Sequence, residues 1–96
     1  MGKKFYEIGL CVKASEYEHD YETVEWEDDF ESVTEARKRA KELSKTCPFK
    51  YRGLPQADDI VAIQITCHSD EEDVSSYYLH WCETYVNGKM VRRIDY

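Results

Sequence analysis

Only 2 prolines and 4 glycines occur among the 96 residues, and no stretch approaches the roughly 20 consecutive apolar residues that a membrane-spanning helix needs. The first scarcity excludes a linker-rich or low-complexity chain, and the second predicts a protein without a membrane span. Cys11, Cys47, Cys67 and Cys82 include no C-x-x-C pair and no Cys/His pair at zinc-finger spacing, so they are expected to be free, shielded thiols. The opening Met1-Gly2-Lys3-Lys4-Phe5 runs into Glu7 and Lys13 before a signal-peptide core forms, and Tyr6 breaks the myristoylation pattern begun by Gly2. The expected setting is therefore cytoplasmic, where thiols stay reduced.

Lys and Arg are missing altogether between Ser15 and Phe30, whereas Glu16, Glu18, Asp20, Glu22, Glu25, Glu27, Asp28 and Asp29 all fall there. Like charges this close repel, so a fold that keeps them together balances them elsewhere or presents them to a basic partner. The net charge of −7 makes long-range repulsion of phosphate the expectation for the whole chain. An apolar fraction of 42% still places the sequence on the globular side of the disorder boundary, and residues 1–96 suffice for one domain with one core.

Residues Phe5 to Lys13 alternate with period 2, Tyr6, Ile8, Leu10 and Val12 on one face against Phe5, Glu7, Gly9, Cys11 and Lys13 on the other. Tyr21 to Glu27 reads as a second strand with Val24 and Trp26 inward, joined to the first by a loop over Ala14–Asp20 with Tyr17 near its tip. Ser32 followed by Glu35 is a capping box that starts a helix. Val33, Ala36, Ala40 and Leu43 give that helix one apolar stripe, and Pro48 stops it near Thr46 or Cys47. Asp59 to Thr66 is expected to be the most buried strand, with Val61, Ile63, Ile65 and Cys67 on one side and Ile60, Ala62 and Gln64 on the other.

Two further strands are predicted over Val74–Val86 and Lys89–Tyr96, joined at Asn87-Gly88, a strong type I′ signal. A strict two-residue turn sets Val86 against Lys89, Tyr85 against Met90, Glu83 against Arg92, Trp81 against Ile94 and Leu79 against Tyr96. Trp81, Leu79, Ile94 and Tyr85 then fall under the helix, while His80 faces Asp95 and Cys82 faces Arg93 on the opposite side, leaving Cys82 the most accessible thiol. The predicted fold is α+β, a two-layer sandwich of order β-β-α-β-β-β with one helix on one face of an antiparallel sheet of about five strands. Cys47–Gln56 is expected to add a lid, and Asp70–Asp73 a solvated acidic turn.

For function, the chain carries no catalytic signature. His80, Cys82 and Asp95 start too far apart on an open strand face to form a nucleophile–base pair, so a non-enzymatic protein without a cofactor is expected. His19, His68 and His80 lie on different elements, so no metal site is expected either. Two surfaces remain. The acidic hairpin, Glu16, Tyr17, Glu18, Asp20, Tyr21, Glu22, Glu25 and Glu27, suits a protein partner with a basic surface. Glu16, Glu18, Asp20 and Glu22 would space charges like phosphates if extended, as small phage or mobile-element inhibitors do by analogy. The open sheet face, with Phe5, Tyr21, Gln64, Thr66, Tyr78, His80 and Val91, suits a partner or a homodimer; the chain is otherwise a monomer. The competing expectation is nucleic-acid binding through the helix row Arg37, Lys41 and Lys45, which the net charge disfavours.

Overall fold

A computed structural model describes residues 4–50, 59–70 and 77–96. The expected lid beyond Lys50, the start of a strand at Val74, the acidic turn after Asp70 and the side chain of Tyr78 lie outside the described residues. The elements are β1 (Lys4–Lys13), β2 (Tyr21–Phe30), α1 (Val33–Lys45), β3 (Ala62–Asp70), β4 (Tyr77–Val86) and β5 (Lys89–Asp95). The strands form one antiparallel sheet of order β2-β1-β3-β4-β5, with α1 on one face, the predicted α+β architecture.

α1 begins where the capping box places it: Ser32 is extended, and its Oγ accepts the Glu35 N–H at 3.3 Å. It ends at Thr46, whose N–H and hydroxyl both return to the Leu43 carbonyl, at 3.0 and 2.7 Å. Ala36 and Ala40, fully buried and short, let the helix lie close over β3 with β1 and β4 on either side. At the far end Ser44 is buried and its Oγ accepts the Gly88 N–H at 2.7 Å, tying the helix terminus to the β4–β5 turn. Gly88 has φ +79°, which that tight turn requires and which other residues rarely adopt.

The core lies between α1 and the middle of the sheet: Ile8, Leu10 and Val12 from β1, Ile63 and Ile65 from β3, and Tyr85 from β4, with Ile60. Each fully buried isoleucine adds about 1.5–3 kcal/mol relative to exposure. Phe49 and Cys47 pack against this cluster, and Phe49 exchanges two backbone hydrogen bonds with Ile60. That bridge explains why Ile60 joins the core: the chain has not yet entered the regular pleat, so the alternation of β3 does not extend back to it.

The outer strands depart from the predicted faces because bulges interrupt the pleat. In β2, Thr23 pairs with Cys11 but Glu25 pairs with Leu10, so Val24 is an extra residue and the parity reverses there; a second shift, between the Trp26–Gly9 and Asp29–Glu7 pairs, reverses it again. Trp26, expected inward, therefore stands on the open face opposite Gly9. In β5, Tyr85 pairs with Met90 but Thr84 pairs with Arg92, leaving Val91 extra. Glu83 then faces Arg93 instead of Arg92, Cys82 faces Ile94 instead of Arg93, and Trp81 faces Asp95 instead of Ile94. A further irregularity at His80 in β4 sets Leu79 against His68 on the open face. Of the four residues expected under the helix, Tyr85 is buried there, Trp81 is half-buried, and Leu79 and Ile94 line the other side.

All four cysteines are free thiols. Cys11, Cys67 and Cys82 are buried, so the exposed Cys82 expected from the unbulged register is not found. Burial pushes the Cys11 and Cys47 thiols up to about 11, and Cys67 and Cys82 upward as well. Only Cys47 is partly accessible, so a thiol reagent applied to native protein should modify Cys47 first and the other three only at the rate of unfolding. Rapid uptake of more than one equivalent would contradict this packing.

Candidate functional site

The face of the sheet away from α1 combines residues placed there by the regular alternation of β1 and β3 with Trp26, Leu79 and Ile94, which the bulges direct there. Glu7, Gly9 and Cys11 of β1 lie beside Thr23 and Trp26 of β2 and Gln64, Thr66 and His68 of β3, followed by Leu79 and Cys82 of β4 and Ile94 of β5. The Thr23 hydroxyl donates to Gln64 Oε1 at 2.9 Å, fixing two polar groups on the floor. The loop after β1 folds over one end of this face, where the Arg92 guanidinium donates to the His19 carbonyl at 3.3 Å.

The other end stays open as a cavity of about 250 Å³ lined by Glu7, Trp26, Thr66, His68, Leu79 and Tyr96 among others. Three large apolar side chains stand at its rim: Trp26, Leu79 and Tyr96 are 45%, 47% and 67% exposed. Gly9 positions the first of them. A Cβ there would come within 3.1 Å of Trp26 Cζ3 and 2.8 Å of Thr23 Cγ2, so the indole rests against bare backbone. Gly9→Ala should cost about 1–3 kcal/mol by overpacking and shift the Trp26 fluorescence; an unchanged spectrum and stability would mean the ring does not lie there.

One wall of the cavity is polar. His68, only 5% exposed, stacks on Phe5 with ring centres 5.8 Å apart, and its Nε2 lies 3.3 Å from Glu7 Oε1. Asp29 is the direct cross-strand partner of Glu7. Partial burial, with the Asp29 charge set against the opposing pull of His68, lifts the Glu7 carboxyl above its ordinary value.

The hairpin residues expected to bind a partner are not gathered into one row. Glu16, Tyr17 and Glu18 stand in the loop, with Tyr17 79% exposed at the expected tip. Asp20 accepts the Ser15 hydroxyl at 2.5 Å and closes the loop, and Tyr21 packs beside the His19 ring. Glu22 and Glu25 sit on β2 opposite Val12 and Leu10, and Glu27 pairs with Arg39 of α1 at 3.4 Å. The extended ladder of Glu16, Glu18, Asp20 and Glu22 therefore does not form, because the first three belong to a turn.

The basic helix row is likewise divided. Arg37 turns toward the sheet and makes a two-pronged contact with Glu83, Nε to Oε1 at 3.0 Å and Nη2 to Oε2 at 2.9 Å. Tyr85 Oη and Arg93 Nη1 also donate to this carboxylate, at 2.8 and 2.5 Å. The guanidinium groups of Arg37 and Arg93 lie 5.4 and 4.7 Å from the Trp81 ring centre, a stacking role that the sequence did not disclose. Lys41 is exposed, and the Lys45 stem lies over Gly88.

The His80, Cys82 and Asp95 constellation is not assembled: His80 Nε2 is 2.8 Å from Ser69 Oγ, Cys82 faces Ile94, and Asp95 accepts from Arg93. Sequence reasoning put Glu7 outward and His68 at the end of a strand without joining them; the β1–β3 register was the missing information. No helix among the described residues is long and apolar enough to cross a membrane. Comparison of the chain with protein-family models, curated proteins and solved structures finds no match.

Proposed function

We propose that this protein is a non-enzymatic, cytoplasmic protein-binding module that takes a segment of a basic partner on its open sheet face. The observation that carries the reading is the cavity of about 250 Å³ rimmed by exposed Trp26, Leu79 and Tyr96. Its volume falls below the roughly 300–1,000 Å³ usual for small-molecule pockets and suits one large side chain. Exposed aromatic and aliphatic anchors around a small pocket are the features that dominate binding energy in protein interfaces.

Charge selects the partner. Glu7 and Asp29 flank the cavity, and Glu16, Glu18, Asp20 and Glu22 add negative potential from the neighbouring hairpin. An aromatic or long aliphatic residue next to Lys or Arg complements both properties, with the hairpin acids acting as steering charges and Tyr17 as an outlying contact.

Peptides with one central Phe, Trp or Leu between lysines or arginines, titrated calorimetrically, provide the test. Trp26→Ala and Leu79→Ala should each weaken binding by about 2 kcal/mol or more, roughly 30-fold. Changing Glu16, Glu18 and Glu22 to Gln and Asp20 to Asn should slow association and flatten its salt dependence. Binding that survives both changes, yet is lost on replacing Arg37, Lys41 and Lys45, would move the site to the helix face and favour nucleic acid. A concentration-dependent dimer that Trp26→Ala abolishes would make a second copy the occupant.

A further inference from the structure

Three adjacent strands bring two carboxylates and an imidazole together at the end of the open-face cavity. β1 lies between β2 and β3; Glu7 on β1 pairs directly with Asp29 on β2 and, on its other side, with Thr66 on β3. His68 stands two residues beyond Thr66 and so projects to the same face. One donor atom from each of Glu7, Asp29 and His68 can be chosen so that all lie within 4.8 Å of one another.

We propose that Glu7, Asp29 and His68 form a binding site for one zinc-like divalent metal ion, held by one nitrogen and two carboxylates with an open position toward the cavity. The proposal does not depend on the partner-binding reading.

Four lines of physical argument support it. Zinc takes His nitrogen and carboxylate oxygen at about 2.0–2.2 Å, which sets neighbouring donors about 3.3–3.5 Å apart around a tetrahedral ion. The His68 Nε2 to Glu7 Oε1 separation of 3.3 Å already matches that edge. Second, the imidazole is fixed in place: its side chain is 6% exposed and stacked on Phe5, which distinguishes the cluster from an ordinary acidic surface patch. Third, like charges set opposite each other across a strand pair are unfavourable. Glu7 and Asp29 are such a directly opposed pair, so a cation at this point would relieve the repulsion. Fourth, the donor set of one imidazole and two carboxylates suits a first-row transition ion better than calcium, which takes oxygen ligands only. Asp29 is exposed and supplies the ligand with most freedom to close on an ion.

Zn²⁺ binding followed calorimetrically, with Co²⁺ as a spectroscopic probe, tests the site on the intact chain. One equivalent should bind, raise the thermal midpoint, and give Co²⁺ d–d bands without the intense thiolate charge-transfer band of a cysteine site. Asp29→Asn and Glu7→Gln should each weaken Zn²⁺ binding at least about 10- to 100-fold, the range seen when even an outer-shell partner of a metal is lost. Asp29 is exposed, so Asp29→Asn is expected to fold normally and keeps the test valid if His68→Gln does not fold. No saturable uptake, a thiolate band, or equal affinity in wild type and Asp29→Asn would overturn the proposal.

Discussion

Glu83→Ala is expected to reduce the unfolding free energy by about 3–5 kcal/mol, because it strips the shared acceptor from two guanidinium groups and a buried phenol at once. Glu83 is 2% exposed, and Arg37, Arg93 and Tyr85 all donate to it. Arg37→Met should cost less than Glu83→Ala, since Arg93 still compensates the carboxylate. Removing Glu83 and Arg37 together should hurt less than the sum of the two, and strict additivity in a double-mutant cycle would show that the pair is not coupled.

The same cluster contributes at both ends of the pH profile. Burial opposes the charge on Glu83, but the hydrogen bonds from Arg37, Tyr85 and Arg93 outweigh it and hold the carboxyl below its ordinary 4.5. A depressed folded value means that this contribution is complete above about 4.5 and is lost as pH falls below it. Burial, then the adjacent Glu83, pushes Tyr85 up from 10.0 to about 12. Its contribution is therefore whole below 10.0 and lost as pH rises toward 12. Denaturant midpoints measured across pH should fall on both sides in wild type and lose most of the acid slope in Glu83→Gln.

Ile65→Ala should cost about 2–5 kcal/mol, the second of the large effects. Ile65 is fully buried on the central strand, between Ile8 of β1 and Glu83 of β4. Trp81→Ala removes more atoms but should cost less, because the indole is only partly buried at the edge of the core, against the Arg37 and Arg93 guanidinium groups. An inverted order of the two in urea unfolding would place Trp81 in the core instead.

That contrast shows what the sequence disclosed. The capping box at Ser32, the Asn87-Gly88 turn and the alternation of β1 are local signals, and each element they predict is present. The strands misread are those with an extra residue, since one inserted residue exchanges the faces of all that follow. Val24, His80 and Val91 bear no mark in the sequence that separates a bulge from a regular position. Regular alternation therefore puts Trp26, Leu79 and Ile94 in the layer under the helix, and the cavity they line is not legible in it. Helical spacing groups Arg37 with Lys41 and Lys45 in one basic row, because the glutamate that draws it inward lies 46 residues away, on β4. The meeting of Glu7 and His68 is hidden for a similar reason: it depends on a pairing of β1 with β3 that no short-range pattern specifies.

The bulges also shape the two free margins of the sheet. β2 and β5 are the two margins of the sheet, one bearing Glu22, Glu25, Glu27 and Asp29, the other Lys89, Arg92 and Arg93. Identical margins repel, while unlike margins attract in a head-to-tail sense, the geometry that propagates into fibres when it does not close. The extra residues at Val24 and Val91 lie in these two margins and break the even spacing of outward amides and carbonyls. An approaching strand would thus meet an interrupted template, which works against joining the oppositely charged margins edge to edge.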